Sequence, residues 1–502
     1  MKKIAYFSFI VAVILSVFLV VSGSNAKVST VVHLDDNQEV IVNTDIAGKT
    51  TKQIGKSGYF ATTMADVRKS GLSDSVEISP VQSYRQNMVV NDPLEPQAYL
   101  GLLNASILWD LMPDTSNRVV AVIDGGFALN HEDLVGRWAT NSLEQGATAT
   151  EGPVPNCTSR GLSLDKSCNN IDDDGNDFID DWRGWDFAQS DNNPQVGTTN
   201  PTAESINHAT LVSGIIGATG NNSVGGASLN WQTKILPLQI FTDEGAATTY
   251  ELGQAISYAI EQNVDVINLS LGSDAIDPAI ESLLVTANAK GIIVVASVGN
   301  CGGETYVENG CLYEGQTMYP ATSNYTIAVG STDFDDVQTD FSSRSTMIDV
   351  VAPAAGVIRT TDYLSTNDVS AYSSYIAGTS FAAPIVSSMM AILRTVWPTA
   401  TVSDLRAAIV DSAYKPNGMS GSLFTDRYGF GRIQPVDALI RASECKDILI
   451  PSDINCDGAV NLLDLSLLAS QWQQQYTGRT DSNSSGLVDL LDLSLLASKW
   501  GQ

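Results

Sequence analysis

The sequence predicts an α/β domain with a mainly parallel central sheet flanked by helices, followed by a small all-α domain. Short, nearly continuous apolar runs recur through the centre of the chain, as expected for parallel strands covered on both faces. These runs are VVAVI, KILPLQI, VDVINL, GIIVVAS and YTIAVGS. One intervening helix is predicted because Leu252, Ala255, Ile256, Ala259 and Ile260 share a face. A repeated helical segment near the C-terminus predicts the all-α domain.

The N-terminal segment predicts secretion. Lys2 and Lys3 precede an apolar run from Ile4 to Val21, and Ser24-Asn25-Ala26 suits cleavage by a signal peptidase. The alternative is an uncleaved anchor, because the run approaches the length that spans a membrane. Serines within the run favour a signal peptide over residues 1–26. We therefore expect a secreted, extracellular protein without stable membrane insertion after cleavage.

Three polar residues with distinct local signatures occur in the order Asp124, His208 and Ser380. Asp124 ends the apolar run VVAVID, His208 opens NHATLVSGIIGA, and Ser380 lies in GTSFAAP. A serine hydroxyl attacks an acyl carbon only when a base takes its proton, and histidine titrates close to neutrality. The order and the residue types predict nucleophilic catalysis by Ser380.

His208 is the best of three candidate bases. His33 lies far upstream of the other signatures, and His131 follows Asp124 too closely along the chain to face its side chain. Apolar residues at helical spacing after His208 place its ring at the start of a buried helix.

Ser380 precedes a predicted core helix, SFAAPIVSSMMAIL, whose N-terminus offers free N–H groups and partial positive charge. These groups suit a developing oxyanion, and a further donor is needed opposite them. Asn300, at the end of GIIVVASVGN, supplies a side-chain amide for that role.

Residues 91 to about 442 resemble the catalytic domain of the subtilisin-like serine protease family. The matching motifs are VIDGG, HATLVSG, VINLSLG, SVGN, GTSFAAP and YGFGRI. The resemblance implies that Asp124 orients His208, that His208 is general base and then general acid, and that Ser380 is the nucleophile. It also implies that Asn300 and the Ser380 N–H form the oxyanion hole.

The same resemblance implies how a protein or peptide substrate binds. Ser270, Leu271 and Gly272 match the segment that pairs with an extended substrate through backbone hydrogen bonds. A broad pocket is implied for an apolar side chain just before the cleaved bond. Residues 91–443 are then the peptidase domain, with an acidic insertion at 141–200, and residues 27–90 are expected to be a removable pro-region.

Two residues depart from the family pattern. Ala209 stands where Gly usually follows the histidine, and Gly125 stands where Ser or Thr usually follows the aspartate. Neither change deletes a catalytic group. They keep open the alternative that this is a catalytically impaired binding or scaffold protein, docked through its C-terminal module.

The acidic insertion contains a calcium-loop pattern. Asn170, Asp172, Asp174, Gly175 and Asp181 occupy positions 1, 3, 5, 6 and 12 of that pattern. Oxygen ligands around a glycine turn suit a hard cation, although Asp replaces the usual bidentate Glu. The alternative is a solvated acidic loop.

Two C-terminal repeats each combine a calcium loop with a helix. The predicted ligands of the first are Asp453, Asn455, Asp457, Asn461 and Asp464. Those of the second are Asp481, Asn483, Ser485, Asp489 and Asp492. The repeats span 453–472 and 481–500, and their apolar helical faces should pack together.

Residues 444–502 resemble a dockerin, a paired calcium-loop module of the EF-hand-like type. The resemblance implies structural Ca²⁺ and a cohesin-like partner. The alternative is a calcium-stabilised tail without a specific partner.

The cysteine content and the net charge limit the compartment and the partners that this protein can have. Six cysteines suit an oxidising compartment. Chain neighbours favour Cys157 with Cys168, Cys301 with Cys311 and Cys445 with Cys456, although about 15 connectivities exist for six cysteines. The formal charge of −29 argues against nucleic acid as a partner.

Overall fold

The computed structural model describes most of residues 90–445, with gaps at 96, 153–155, 159–160, 162, 198–203, 243–244, 304–310, 357, 359, 363–369 and 374. It also describes the strands within residues 39–80, residues 452, 460, 465 and 468, and the segment 490–500. The chain divides into two compact units, Met1–Gln86 and Asn87–Gln502. The predicted signal segment at 1–26 lies outside the described residues.

The first unit contains a four-stranded antiparallel sheet. Its strands are β1 (Glu39–Val42), β2 (Lys52–Gln53), β3 (Phe60–Thr63) and β4 (Ile78–Pro80). They lie in the order β2-β3-β1-β4, and Val42 of β1 pairs with both Phe60 and Ile78.

The second unit is built on a seven-stranded parallel sheet. Its strands are β5 (Val119–Asp124), β6 (Trp185–Asp186), β7 (Lys234–Gln239), β8 (Val266–Leu269), β9 (Ile293–Ser297), β10 (Thr326–Thr332) and β11 (Val350–Pro353). The order across the sheet is β11-β10-β9-β8-β5-β7-β6. A separate two-stranded ribbon pairs β12 (Ala355–Gly356) with β13 (Ile376–Ala377). The predicted parallel sheet is confirmed, and each predicted apolar run contributes a strand.

Helices cover both faces of the central sheet. In chain order they are α1 (Ala98–Leu102), α2 (Ala105–Leu111), α3 (Glu204–Gly217), α4 (Thr249–Glu261), α5 (Pro278–Ala289), α6 (Ala382–Val396), α7 (Val402–Asp411), α8 (Pro435–Cys445) and α9 (Leu490–Lys499). Successive residues of β5 belong to opposite apolar clusters, with Val120 and Val122 in one and Ala121 and Ile123 in the other. This alternation follows from the two-residue side-chain period of a strand.

The predicted amphipathic helix is α4. Its five predicted apolar residues are buried against one face of the sheet. Thr248 begins the helix with a capping box, in which its side chain and that of Glu251 satisfy each other's backbone N–H groups. The helix therefore has both a defined start and a defined buried face.

The central helix α6 passes through the core of the opposite face. It is buried along almost its whole length, and Met389 and Met390 are inaccessible to solvent. Among the described residues, the span Thr379–Val396 is long and apolar enough to cross a membrane, but 83% of it is buried inside the protein. Its apolar character is thus accounted for by the core.

One helix boundary differs from the sequence prediction. The helix carrying His208 begins at Glu204 rather than at the histidine. The reason is that the apolar spacing used for the prediction begins at Leu211, whereas the first turn, Glu204 to Asn207, has a single apolar residue, Ile206. His208 therefore lies in the second turn of α3.

Two of the favoured disulfides are present, Cys157–Cys168 and Cys301–Cys311. The third involves Cys456, which lies outside the described residues. Near the C-terminus, Leu468 and Leu496 come from the two repeats and are both buried in the apolar cluster of the larger unit.

Candidate active site

The sheet gathers the predicted site residues at one edge. Asp124 is the last residue of β5, Ser270 directly follows β8, and Asn300 lies just beyond β9. These three strands are parallel neighbours, so their carboxyl ends lie side by side. In open α/β sheets this edge is where ligands bind.

Asp124, which is buried, and His208, which is partly exposed, form a pair. Nδ1 of His208 lies 2.9 Å from both carboxylate oxygens of Asp124, whose side chain is only 3% exposed. A carboxylate accepts the Nδ1 proton, so the neutral ring presents Nε2 as its basic nitrogen. This geometry fixes the tautomer and the orientation that a general base requires.

His131, by contrast, serves the packing of the chain. Its buried Nε2 donates to the carbonyl oxygen of Ala371 at 2.8 Å, and Nδ1 accepts from the N–H of Asp133. The structure thus places His208, and not His131, against Asp124.

Ser380 lies in a 3₁₀ turn, Thr379–Phe381, that leads into α6. Its hydroxyl donates to the carbonyl oxygen of Ser270 at 3.2 Å. The next residue, Phe381, packs on the His208 ring with the ring centroids 5.6 Å apart. Attack on a substrate requires the hydroxyl to turn from the Ser270 carbonyl towards Nε2 of His208. Catalytic hydrogen bonds commonly tighten only when substrate binds.

Asn300 is held by the residue before the serine. Its Oδ1 accepts from the backbone N–H of Thr379 at 2.9 Å and from the Thr379 hydroxyl at 3.0 Å. Because Oδ1 is fixed in this way, Nδ2 is the atom presented for donation to an oxyanion. Thr379 was not predicted from the sequence, since a threonine in a Gly-Thr-Ser turn carries no signal of this contact.

The predicted substrate segment runs close to Met318. A Cβ on Gly272 would lie 2.6 Å from Cβ of Met318, and a Cβ on Gly299 would lie 2.4 Å from its Cγ. Gly299 also has a φ of +97°, which favours glycine. Ser273 then pairs with Tyr319 in both directions, at 2.8 and 2.9 Å. Both glycines let the backbone approach Met318 closely.

A buried hydrogen-bond chain joins the serine turn to the sheet. Ser387 of α6 donates to Oδ1 of Asn268, and Nδ2 of Asn268 donates to the Ser270 hydroxyl at 2.9 Å. The Ser270 hydroxyl in turn donates to the Ser380 carbonyl at 2.7 Å. Sequence analysis missed Asn268, although an amide within the apolar run VINL was a usable signal.

The structure gives a physical account of both departures from the family pattern. The backbone N–H of Gly125 donates to Oδ1 of Asp124 at 2.7 Å, so the main chain holds the carboxylate. Ala209 is fully buried within the apolar cluster beside α6. Its methyl group is accommodated by the core and leaves the Asp124–His208 pair intact.

The acidic insertion brings two of its four predicted ligands together. Carboxylate oxygens of Asp174 and Asp181 lie within 4.8 Å of each other and of an oxygen of Glu144. Asp172 instead accepts backbone N–H groups of Gly175, Asn176 and Asp177. The backbone N–H of Asn170 donates to Asp180.

Glu144 is the residue that sequence analysis missed here. It is buried, and burial with the nearby charges of Asp181 and Asp174 raises its pKa to about 7. Burial also raises the pKa of Asp181. Glu144 lies in a polar stretch far from the loop pattern, so its spacing gave no signal.

Most predicted ligands of the C-terminal module lie outside the described residues. These are Asp453, Asn455, Asp457, Asn461, Asp464, Asp481, Asn483, Ser485 and Asp489. The remaining one, Asp492, is buried in the first turn of α9.

Comparison with known proteins relates the larger unit to one family. The model of the subtilase family matches residues 115–431. The thermophilic serine proteinase of Bacillus sp. (strain AK1) is 30% identical over 331 residues, which are 66% of this chain and 64% of that proteinase. Thermitase of Thermoactinomyces vulgaris is 28% identical over 330 residues, 65% of this chain and 92% of thermitase.

The fold agrees with a solved structure. A protease from Pseudoalteromonas arctica PAMC 21717 aligns with a TM-score of 0.51 at 21% identity, over 71% of this chain and 100% of that one. At this identity the likeness concerns the fold. Other relatives include one protease named extracellular and one named intracellular.

Proposed function

The chain belongs to the subtilase family, and we propose that it is a secreted endopeptidase that hydrolyses proteins through an acyl-enzyme on Ser380. The family places its catalytic domain among serine endopeptidases, EC 3.4.21. The observation that carries the proposal is the Asp124–His208 pair at 2.9 Å beside the turn that holds Ser380.

The first chemical step is attack on the scissile carbonyl. His208 takes the hydroxyl proton as Ser380 Oγ bonds to the carbonyl carbon, and Asp124 stabilises the imidazolium that forms. The resulting oxyanion accepts hydrogen bonds from Nδ2 of Asn300 and the N–H of Ser380. His208 then gives its proton to the leaving amine. The carbon–nitrogen bond breaks, and the acyl-enzyme remains.

The second step releases the acyl group. Water enters where the amine has left, His208 removes its proton, and the water oxygen attacks the ester carbon of the acyl-enzyme. The same two donors stabilise the second oxyanion, and His208 returns the proton to Ser380 Oγ as the acid product leaves.

An extended segment of the substrate is proposed to bind along Ser270, Leu271 and Gly272 by strand addition. Gly272 is exposed at the surface of the cleft and lacks a side chain that would obstruct an approaching backbone. The cleft is proposed to favour an apolar side chain just before the cleaved bond.

The flanking segments are proposed to serve export and maturation. Residues 1–26 would direct secretion, and residues 27–90 would assist folding before removal. The separate compact unit Met1–Gln86, with its own antiparallel sheet, supports an independent role for this part of the chain.

The C-terminal residues 444–502 are proposed to be a dockerin-like module that binds structural Ca²⁺ and a cohesin-like protein. Burial of Leu468 and Leu496 in one cluster supports helices that pack together. The insertion loop is proposed as a further calcium site. Calcium would stabilise these segments and take no part in peptide hydrolysis.

The test of the proposed activity is hydrolysis of denatured casein by the full chain in the presence of calcium. We expect Ser380→Ala to reduce hydrolysis to background, because the substitution removes the oxygen that is proposed to attack the carbonyl carbon. Ser412→Ala is the matched control, since the Ser412 hydroxyl donates to the carbonyl oxygens of Ala408 and Ile409 at the end of α7. Equal hydrolysis by wild type and S380A would refute the acyl-enzyme mechanism. Inactivity of a folded, matured wild type would favour a scaffold role.

A further inference from the structure

The acidic insertion contains a carboxylate cluster that the calcium-loop pattern does not describe. Glu144 comes from a 3₁₀ turn, Ser142–Glu144, far upstream of the loop that carries Asp174 and Asp181. Ligand oxygens of the three residues lie within 4.8 Å of one another. Two separate segments of the insertion therefore meet at one group of oxygens.

One oxygen of this cluster is buried without a partner. Oε1 of Glu144 accepts the backbone N–H groups of Asp173 and Asp174, at 2.5 and 2.9 Å. Its Oε2 is inaccessible and has no hydrogen-bond partner among the described residues, and the side chain itself is 0% exposed. A buried carboxylate oxygen without a donor is costly, so this atom indicates a missing ligand.

The charge of the cluster is also uncompensated by cationic side chains. Within the part of the chain that the structure describes, no lysine or arginine forms an ion pair with Glu144, Asp174 or Asp181. The nearest such pair in the insertion joins Lys166 to Asp173 at 3.6 Å. Three neighbouring carboxylates favour a bound cation, because like charges this close repel each other strongly when partly buried.

The other contacts hold the carboxylates of the loop in place. Nδ2 of Asn141 donates to both Asp174 and Asp181 at 2.8 Å, and Nδ2 of Asn176 donates to Asp181 at 2.8 Å. The hydroxyl of Tyr258 donates to Asp181 at 2.6 Å. None of these groups donates to Oε2 of Glu144, so this oxygen is available to bind a cation. Tyr258 belongs to α4, so the cluster joins the insertion to the core of the catalytic domain.

We propose that Glu144, Asp174 and Asp181 bind one Ca²⁺ that fastens the insertion to α4. The proposal deepens, and rests on, the proposed calcium binding of the insertion, and it replaces the loop ligands Asn170 and Asp172 with Glu144. Carboxylate oxygens are the ligands that Ca²⁺ prefers, and remaining positions of its shell are filled by water. The cation stabilises the insertion and does not touch substrate.

The test counts calcium ions bound per full chain by titration against a competing chelator, in the Ser380→Ala background. That background prevents self-digestion if the protein is a protease, and it binds calcium equally if the protein is not. We expect Glu144→Gln to bind one Ca²⁺ fewer per chain than the Ser380→Ala parent. Its Tm should also rise less than that of the parent when calcium is added. Asp173→Asn removes the same charge one residue from Asp174 and should retain every equivalent.

Asp172→Asn separates the two possible ligand sets. This variant binds as many Ca²⁺ ions per chain as the parent if Glu144 completes the site. It binds one fewer if the loop pattern supplies the ligands. If D172N loses one bound Ca²⁺ per chain and E144Q loses none, the inference about Glu144 is overturned, but calcium binding by the insertion is not. No loss in either variant overturns calcium binding by the insertion altogether. If E144Q does not fold, Asp174→Asn, at a partly exposed ligand common to both sets, tests whether the insertion binds calcium, and Asp172→Asn still separates the two sets.

Discussion

At the scale of single residues, the proposed catalysis depends on how neighbouring groups fix His208 and Asn300. Asp124 fixes one nitrogen of His208, and its own carboxylate is held by the N–H of Gly125. In the same way, two donors from Thr379 fix the amide oxygen of Asn300. The His208 ring and the Asn300 amide are therefore oriented before substrate binds, which is the basis of electrostatic preorganisation.

Asn300→Ala should lower kcat by about 10²- to 10³-fold with little change in KM, as is typical of removing one oxyanion donor. The reason is that Nδ2 stabilises charge that develops only in the transition state. Steady-state kinetics on a peptide substrate measure the effect. A proportional rise in KM at constant kcat would instead assign Asn300 to substrate binding.

Thr379 provides the control for this interpretation. Thr379→Ser keeps the hydroxyl that donates to Asn300 and should retain kcat close to the wild-type value. Thr379→Val has a similar shape without the hydroxyl, so its kcat should lie between those of wild type and Asn300→Ala.

At the scale of elements, the nucleophile turn is joined to the sheet through buried polar groups. Ser387 on α6, Asn268 on β8 and Ser270 beyond that strand form one hydrogen-bond chain that ends on the Ser380 carbonyl. Asn268 and Ser387 are both fully buried. Such a chain specifies how α6 lies on the sheet only if all its members are satisfied.

Asn268→Leu should destabilise the protein by about 1–3 kcal/mol, because it leaves the buried Ser387 hydroxyl without its acceptor. Urea unfolding of the Ser380→Ala chain measures this change. Ser387→Ala should cost less in the Asn268→Leu background than in the parent, since the unsatisfied hydroxyl is then removed. Strictly additive costs would contradict the coupling of these two residues.

At the scale of the whole molecule, one buried carboxylate joins segments distant in sequence. Asp133 accepts from Nδ2 of Asn222 at 2.8 Å, from the N–H of Gly226 at 3.2 Å and from the Tyr372 hydroxyl at 3.1 Å. Burial nevertheless raises its pKa to about 6, and the nearby charge of Asp92 contributes in the same direction. The folded state therefore favours the protonated form of this group.

The contribution of Asp133 to stability should fall as the pH rises from about 4 to about 6. Between the ordinary carboxyl pKa of about 3.9 and the raised value, the folded state binds more protons than the unfolded state. The full change is about 3 kcal/mol, from roughly two pKa units. Asp133→Asn should remove this slope from the free energy of unfolding, measured across that range at fixed calcium. Parallel pH profiles for the two chains would refute the assignment.

Sequence reasoning recovered the α/β fold of the central domain because its signals are local. The apolar runs became strands, the face of α4 is buried, and neighbouring cysteines formed two disulfides. Glu144 and Asn268 escaped it because their roles depend on contacts that tertiary folding creates. Glu144 is distant in sequence from the loop that it approaches in space, and Asn268 lies within an apolar strand. The start of α3 was missed because its first turn has only one apolar residue, Ile206, and therefore no apolar periodicity.

The order of the chain has a consequence for biosynthesis. Asp124 and His208 leave the ribosome well before Ser380, and the turn that carries the serine is seated on β8 and against the His208 ring. During translation, the ribosome-bound fragment therefore has the proposed base without the proposed nucleophile. A nascent copy is unable to cut itself or its neighbours until most of the domain has been made, so any restraint on activity is needed only from that moment onward.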